Sequence, residues 1–116
     1  MKKKRLSVIL PENAVKEIRV RMLQEDYSLR EKSKWIAEAI EDFLALKEYQ
    51  RLVEMADLVD DLAKLETITI TPEIEDKLEE AIIKVRKEYP ILEGVKSLII
   101  RASIIRRLVL LAKRKK

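Results

Sequence analysis

The sequence predicts a mainly α-helical fold with one short two-stranded antiparallel ribbon, made by two strand–helix–turn–helix units in a single chain that form a pseudo-dimer. Three observations lead there. A strand-favouring run that meets a proline and an acidic residue occurs twice, at Arg5–Pro11 and at Thr67–Pro72. Two helical stretches follow each copy. Each unit owns one strand only, and a lone strand leaves its backbone N–H and C=O groups without partners, so the two strands are expected to pair.

The composition suits such a fold. The 116 residues are 47% hydrophobic and 40% charged, with three Pro and a single Gly to interrupt helices. There is no Cys and no His. Disulfides and thiolate metal sites are thereby excluded, and the commonest general base and zinc ligand are missing. One Gly cannot build a glycine-rich phosphate loop. An enzyme is therefore not expected, and neither is a cofactor, a metal or a small-molecule ligand.

Taken in order, Arg5-Leu-Ser-Val-Ile-Leu-Pro11 reads as the first strand. Pro11-Glu12 opens a helix, because proline needs no N–H in a first turn and the helix dipole favours an acid there. Ala14, Ile18 and Arg21/Met22, with Leu23 beside the last, keep helical spacing up to a break at Glu25-Asp-Tyr-Ser-Leu29. The second helix holds Ser33-Lys-Trp-Ile-Ala-Glu-Ala-Ile40, with Trp35 in a core or interface role. From Leu46 to Lys64 the chain has no Pro or Gly, and Leu52, Met55/Ala56, Val59 and Leu62/Ala63 predict a helical connector. Its acids Glu54, Asp57, Asp60 and Asp61 form a solvated face.

Thr67-Ile-Thr-Ile-Thr-Pro72 alternates strictly and predicts the second strand. Pro72-Glu73 opens the next helix, carried by Ile74, Leu78, Ala81/Ile82 and Ile83, up to Tyr89-Pro-Ile-Leu-Glu-Gly94. The last helix contains Ser97-Leu-Ile-Ile-Arg-Ala-Ser-Ile104. An offset of 60 aligns Leu10 with Ile70, Ala14 with Ile74 and Ile18 with Leu78; an offset of 64 aligns Ser33 with Ser97, Ile36 with Ile100 and Ile40 with Ile104. The division is thus 1–46 for the first unit, 47–64 for the connector and 65–116 for the second unit. Glu66 aligns with core-facing Leu6, so the second strand is expected to start at Thr67 with Glu66 turned to solvent. Ile99, Ile100, Ile104, Ile105, Leu108, Val109, Leu110 and Leu111 are too many for one helix face. That helix is expected to be central to the bundle or to join another copy of the protein. Arg101, Arg106 and Arg107 interrupt it, so it falls short of the roughly 18–20 apolar residues of a membrane span. No targeting segment is evident, and a cytoplasmic protein is expected.

The net charge of +4 is unevenly spread. Lys2, Lys3, Lys4 and Arg5 stand at one end, and Lys113, Arg114, Lys115 and Lys116 at the other, around a mildly acidic body. Basic arms of this kind are an electrostatic footprint for nucleic acid. The lack of Cys, the single Asn and the many Glu, Lys, Arg and Ile are in keeping with a hyperthermophile.

On the run Arg5–Glu12 with Ser33–Ile40, and again on Thr67–Glu73 with Ser97–Ile104, the chain resembles the ribbon-helix-helix family over nearly everything outside the connector. The tandem arrangement is similar to transcriptional regulators, repressors among them, of archaeal viruses and their hosts, which would place the protein inside an infected cell. The resemblance implies a ribbon that enters the major groove of double-stranded operator DNA. A two-stranded ribbon fits that groove. Alternation turns Leu6, Val8, Leu10, Ile68 and Ile70 inward. Arg5, Ser7, Ile9, Thr67 and Thr69 face outward as base-contacting candidates, with Leu65 a further outward position. Arg bridges guanine O6 and N7, Ser and Thr hydroxyls serve several base edges, and Thr or Ile touches a thymine methyl. Ile9 stands where the family usually carries a polar residue, and the second strand offers no basic residue, so unequal half-sites are expected.

Phosphate contacts are expected at the N-termini of the two second helices, where bare N–H groups point outward. The first involves Lys32, Ser33 and Lys34; the second involves Gly94, Val95, Lys96 and Ser97, with Gly94 permitting close approach. The serines alternatively cap their helices. Lys2, Lys3 and Lys4 would add sequence-independent attraction that fades with salt. Two other functions are compatible with the residues. One is an antitoxin-like adaptor that binds a partner through the connector or the last helix. The other is a DNA-coating or self-associating structural protein.

Overall fold

The computed structural model describes residues 3–56 and 62–114. Strand β1 (Lys4–Pro11) runs directly into helix α1 (Glu12–Gln24), with Pro11 at the N-cap and Glu12 in the first turn. Ala14, Ile18 and Met22 form its buried stripe, while Leu23 lies off the stripe and is 59% exposed. The helix stops where the sequence breaks. Tyr27 N–H donates to the Met22 carbonyl at 2.8 Å and Asp26 N–H to Leu23 at 3.3 Å, with Asp26 at φ +64°. This is the paired-bond termination that usually places glycine in the left-handed position. Aspartate tolerates it better than most residues because its short polar side chain bonds locally.

A single 3-10 turn (Leu29–Glu31) leads into α2 (Lys32–Leu44), which buries Trp35, Ile36, Ala39, Ile40 and Phe43. Helix α3 (Tyr49–Ala56) covers only part of the predicted connector. Among its described side chains, Tyr49 and Val53, one helical turn apart, face inward, whereas Leu52, expected on the apolar stripe, is 39% exposed; the side chains of Met55 and Ala56 lie outside the described ones. Tyr49 leans on Phe43 with ring centroids 6.0 Å apart. Asp57, Val59, Asp60 and Asp61 lie outside the described residues.

Strand β2 (Leu62–Ile70) begins before the expected Thr67 and before the expected boundary at 65. It pairs antiparallel with β1 in continuous register from Lys4↔Ile70 through Ser7↔Thr67 to Leu10↔Lys64, with an irregularity before Pro11↔Leu62. The run Leu62 to Glu66 is compatible with either periodicity taken alone. Pairing with β1 decides it, as tertiary context commonly does for strands. Glu66 accordingly stays in the ladder opposite Val8 rather than turning to solvent. Its carboxylate is 18% exposed and meets Lys32 Nζ at 2.9 Å, which balances the charge at a position that apolar residues occupy elsewhere on this face.

Helix α4 (Pro72–Glu88) starts as predicted: Thr71 Oγ1 accepts the Ile74 N–H, Pro72 follows the cap, and Glu73 and Glu75 occupy the first turn. Ile74, Leu78, Ala81 and Val85 are buried, but Ile83 is 57% exposed. Helix α5 (Val95–Arg114) packs against β1, α1, α2, α3 and α4, so it is central to the bundle. Buried side chains from both halves of the chain, among them Leu10, Ile18, Trp35, Phe43, Ile68, Leu78 and Ile99, form one core. Two arginines inside the apolar run of α5 have structural partners. Arg101 is 8% exposed and bonds to β1. Arg107 donates to the Trp35 carbonyl at 2.6 Å, approaches Glu25 and Glu38, and stacks 4.5 Å from the Trp35 ring centroid. Among the described residues no helix is long and apolar enough to cross a membrane.

Candidate nucleic-acid interface

The ribbon has one face on the core and one face uncovered. Val8, Leu10, Ile68 and Ile70 are buried and Leu6 is half-buried. Between them, Arg5, Ser7, Ile9, Leu65 and Thr67 are exposed and Thr69 is half-buried. The register joins the outward residues into three cross-strand pairs: Arg5↔Thr69, Ser7↔Thr67 and Ile9↔Leu65. All five predicted base-contacting residues therefore share one surface, and Leu65 joins them.

The edges of the ribbon are held by helix side chains. Thr69 N–H donates to Ser33 Oγ at 3.0 Å. Arg101 Nε donates to the Ile9 carbonyl at 3.1 Å. Both backbone groups thus bond outside the ladder, which makes the outward pairs the narrow, non-hydrogen-bonded kind with closely approaching side chains. From sequence Arg101 reads only as an interruption of the apolar run of α5. Nothing in its neighbours signals a strand carbonyl to receive it.

Ser33 caps no helix. The N-cap of α2 is Glu31, whose carboxylate accepts the Ser28 N–H at 2.9 Å, and this bond holds the Glu31 carboxyl below its usual range. The serine oxygen is committed to the ribbon edge as an acceptor, which leaves its O–H as the group to offer a ligand. Lys34 is 62% exposed, 3.7 Å from Glu31, and lies over the Tyr27 ring. Lys3, Ser33, Lys34 and Thr69 meet in a cleft of about 400 Å³, together with Glu38, Glu41 and Glu73. Lys32 lies apart from this group, on Glu66.

At the start of α5, Gly94 adopts φ +60° and its carbonyl accepts the Leu98 N–H. No other part of the described chain comes near the position that a Cβ would take, and the positive φ is the conformational reason for glycine here. Val95 is buried in the core, so it offers an interface only its backbone. Ser97 is half-buried. Lys96 Nζ sits 2.9 Å from Glu75 and 3.5 Å from Glu79, and Lys4 Nζ reaches the same Glu75 oxygen at 3.2 Å. These two lysines hold the Glu75 carboxyl below its usual range, Lys96 most strongly. The second oxygen of Glu75 is buried without a hydrogen-bond partner among the described residues.

The basic groups thus fall into two kinds. Lys4, Lys32, Lys34 and Lys96 are paired to carboxylates. Lys3, Arg5 and Lys64 are exposed and have no ion-pair partner among the described residues. Lys64 pairs with inward-facing Leu10, so alternation sets it apart from the outward row. Lys2, Lys115 and Lys116 lie outside the described residues. The surface can offer a guanidinium, three hydroxyls and two apolar side chains to a groove about one ribbon wide. No family model, curated protein or solved structure matches the chain.

Proposed function

We propose that this chain is a sequence-specific transcriptional regulator that inserts its ribbon into the major groove of double-stranded DNA, its two ribbon-helix-helix units acting as a pseudo-dimer. The observation that carries the reading is the register. Ser7 pairs with Thr67, and these residues are equivalent under the sequence offset of 60. The same offset exchanges Arg5↔Thr69 with Ile9↔Leu65. Such a register supports a two-fold axis passing between Ser7 and Thr67. The edge bonds add support: α2 holds β2 through Ser33, and α5 holds β1 through Arg101, so each second helix grips the strand of the other unit. The uncovered face, with Arg5, Ser7, Thr67 and Thr69 directed away from the core, supports base contact.

The test is selection of double-stranded DNA from a random pool by the purified protein at near-physiological salt. Enrichment of one motif with unequal halves is the expected result. Ser7→Ala or Thr69→Ala then relaxes the preference at particular positions, while Lys3→Ala weakens binding on every sequence and lowers the salt slope by about one. Binding without enrichment would favour a coating role, and no binding would favour a protein partner.

A further inference from the structure

Resting on that reading, we infer that the ribbon face is polarised: its Ile9–Leu65 end reads the 5-methyl group of a major-groove pyrimidine, and its Arg5–Thr69 end reads hydrogen-bonding base edges. The three outward pairs change character along the ribbon. Arg5↔Thr69 brings a guanidinium and a hydroxyl, Ser7↔Thr67 brings two hydroxyls, and Ile9↔Leu65 brings neither donor nor acceptor. Ile9 is 44% exposed and Leu65 65% exposed, so neither is spent on the core. Because the pair is of the narrow kind, the two side chains make one apolar patch. The only apolar group that the major groove presents at a base edge is the C5 methyl of thymine, or of a methylated cytosine.

DNA is the occupant that the surroundings favour. Lys3 and Arg5 at one end are exposed cations without ion-pair partners among the described residues, which suits a surface bordered by phosphates. Glu66, the acid nearest the Ile9–Leu65 end on the strand, is neutralised from below by Lys32 and does not oppose an anion. Arg5 and Ile9 are four residues apart on β1. At about 3.3 Å per residue this is about 13 Å, or about four base-pair steps of ~3.4 Å. The operator is therefore expected to carry a guanine-containing element and a methyl-bearing element about four base pairs apart, in fixed polarity. Discrimination at the apolar end depends on the methyl and not on base identity, because Ile9 and Leu65 offer no hydrogen bond.

The test uses the operator obtained by selection. Each thymine is replaced in turn by uracil, which removes only the methyl, and the Kd is measured by fluorescence anisotropy. At one end the loss should be about fourfold per methyl, from ~0.8 kcal/mol per buried methyl(ene); at the other end the Kd should stay within about twofold. A 5-methylcytosine·guanine pair at the sensitive position should recover most of the loss, whereas unmethylated cytosine should not. In Ile9→Ala/Leu65→Ala, whose side chains lie outside the core, thymine and uracil operators should bind alike, with thermal melts verifying the fold. An enriched operator on which uracil costs nothing, or costs the same at both ends, overturns the polarity and leaves the regulator reading intact. So does a uracil penalty that persists in the double variant. If selection enriches no operator, the regulator reading itself fails and this inference falls with it. The DNA-side substitutions decide the matter even if the double variant does not fold.

Discussion

At the scale of single residues, Glu75 holds two of the lysines proposed to meet phosphate. It draws Lys4 and Lys96 to one oxygen, an arrangement that a DNA phosphate would have to compete with. Glu75→Gln keeps the shape and removes the charge. The expected outcome is a two- to fivefold gain in affinity for any duplex at neutral pH, about the size of one partly exposed ion pair, measured by salt titration of binding. The same residue bears on acid stability. Its carboxyl lies below the ordinary 4.5 in the folded protein, so the stabilisation is fully present above that value and is lost as pH falls through the lower, folded value. Melting curves of the variant should therefore lose part of the fall in stability seen in acid below about pH 4.5. A variant whose acid limb superimposes on the wild type would remove Glu75 from this role.

At the scale of elements, Ser33 is the bond between α2 and the edge of β2. Ser33→Ala leaves the half-buried Thr69 N–H without its acceptor, and the expected cost is about 1–2 kcal/mol. Urea unfolding measures that cost, and hydrogen exchange of the Thr69 amide locates it; an unchanged exchange rate would contradict the bond. Much of the element order is legible in the sequence because its signals are local. Thr71-Pro72-Glu73 caps and opens α4 by itself, and Glu25-Asp26-Tyr27 ends α1 by itself. The strand faces are legible for the same reason, since alternation alone sorts Arg5, Ser7 and Ile9 from Leu6, Val8 and Leu10. What escaped depends on partners distant in sequence. Leu62 to Glu66 becomes strand only against β1, Glu66 is tolerated inward only because Lys32 reaches it, and Tyr49 displaces Leu52 from the buried stripe because Phe43 is there to receive it. The interface divides likewise. Its outward side chains follow from periodicity, whereas the ties of Lys4 and Lys96 to Glu75, and of Arg101 to Ile9, require the assembled fold.

At the scale of the whole molecule, both halves of the chain contribute to one core, so neither half is expected to persist alone. Heating should give a single transition in which helix content and the fluorescence of Trp35, the only tryptophan and fully buried between α2 and α5, change together. A fragment of residues 1–60 should lack stable tertiary structure, because Ile36, Ile40 and Phe43 would lose α4 and α5 as neighbours. Separate melting of the two halves, seen by calorimetry, would count against a shared core.

The pairing of β1 with β2 inside one polypeptide has a further effect. A ribbon built from two separate chains dissociates on dilution and exchanges strands with any close relative made in the same cell. Here closure is a first-order event, set by the loop between Pro11 and Leu62 and independent of how many copies are present. The two strands can also differ in sequence, because a change in one does not appear in the other. Arg5 and Leu65, aligned by the sequence offset of 60, differ in chemistry in the way this freedom permits.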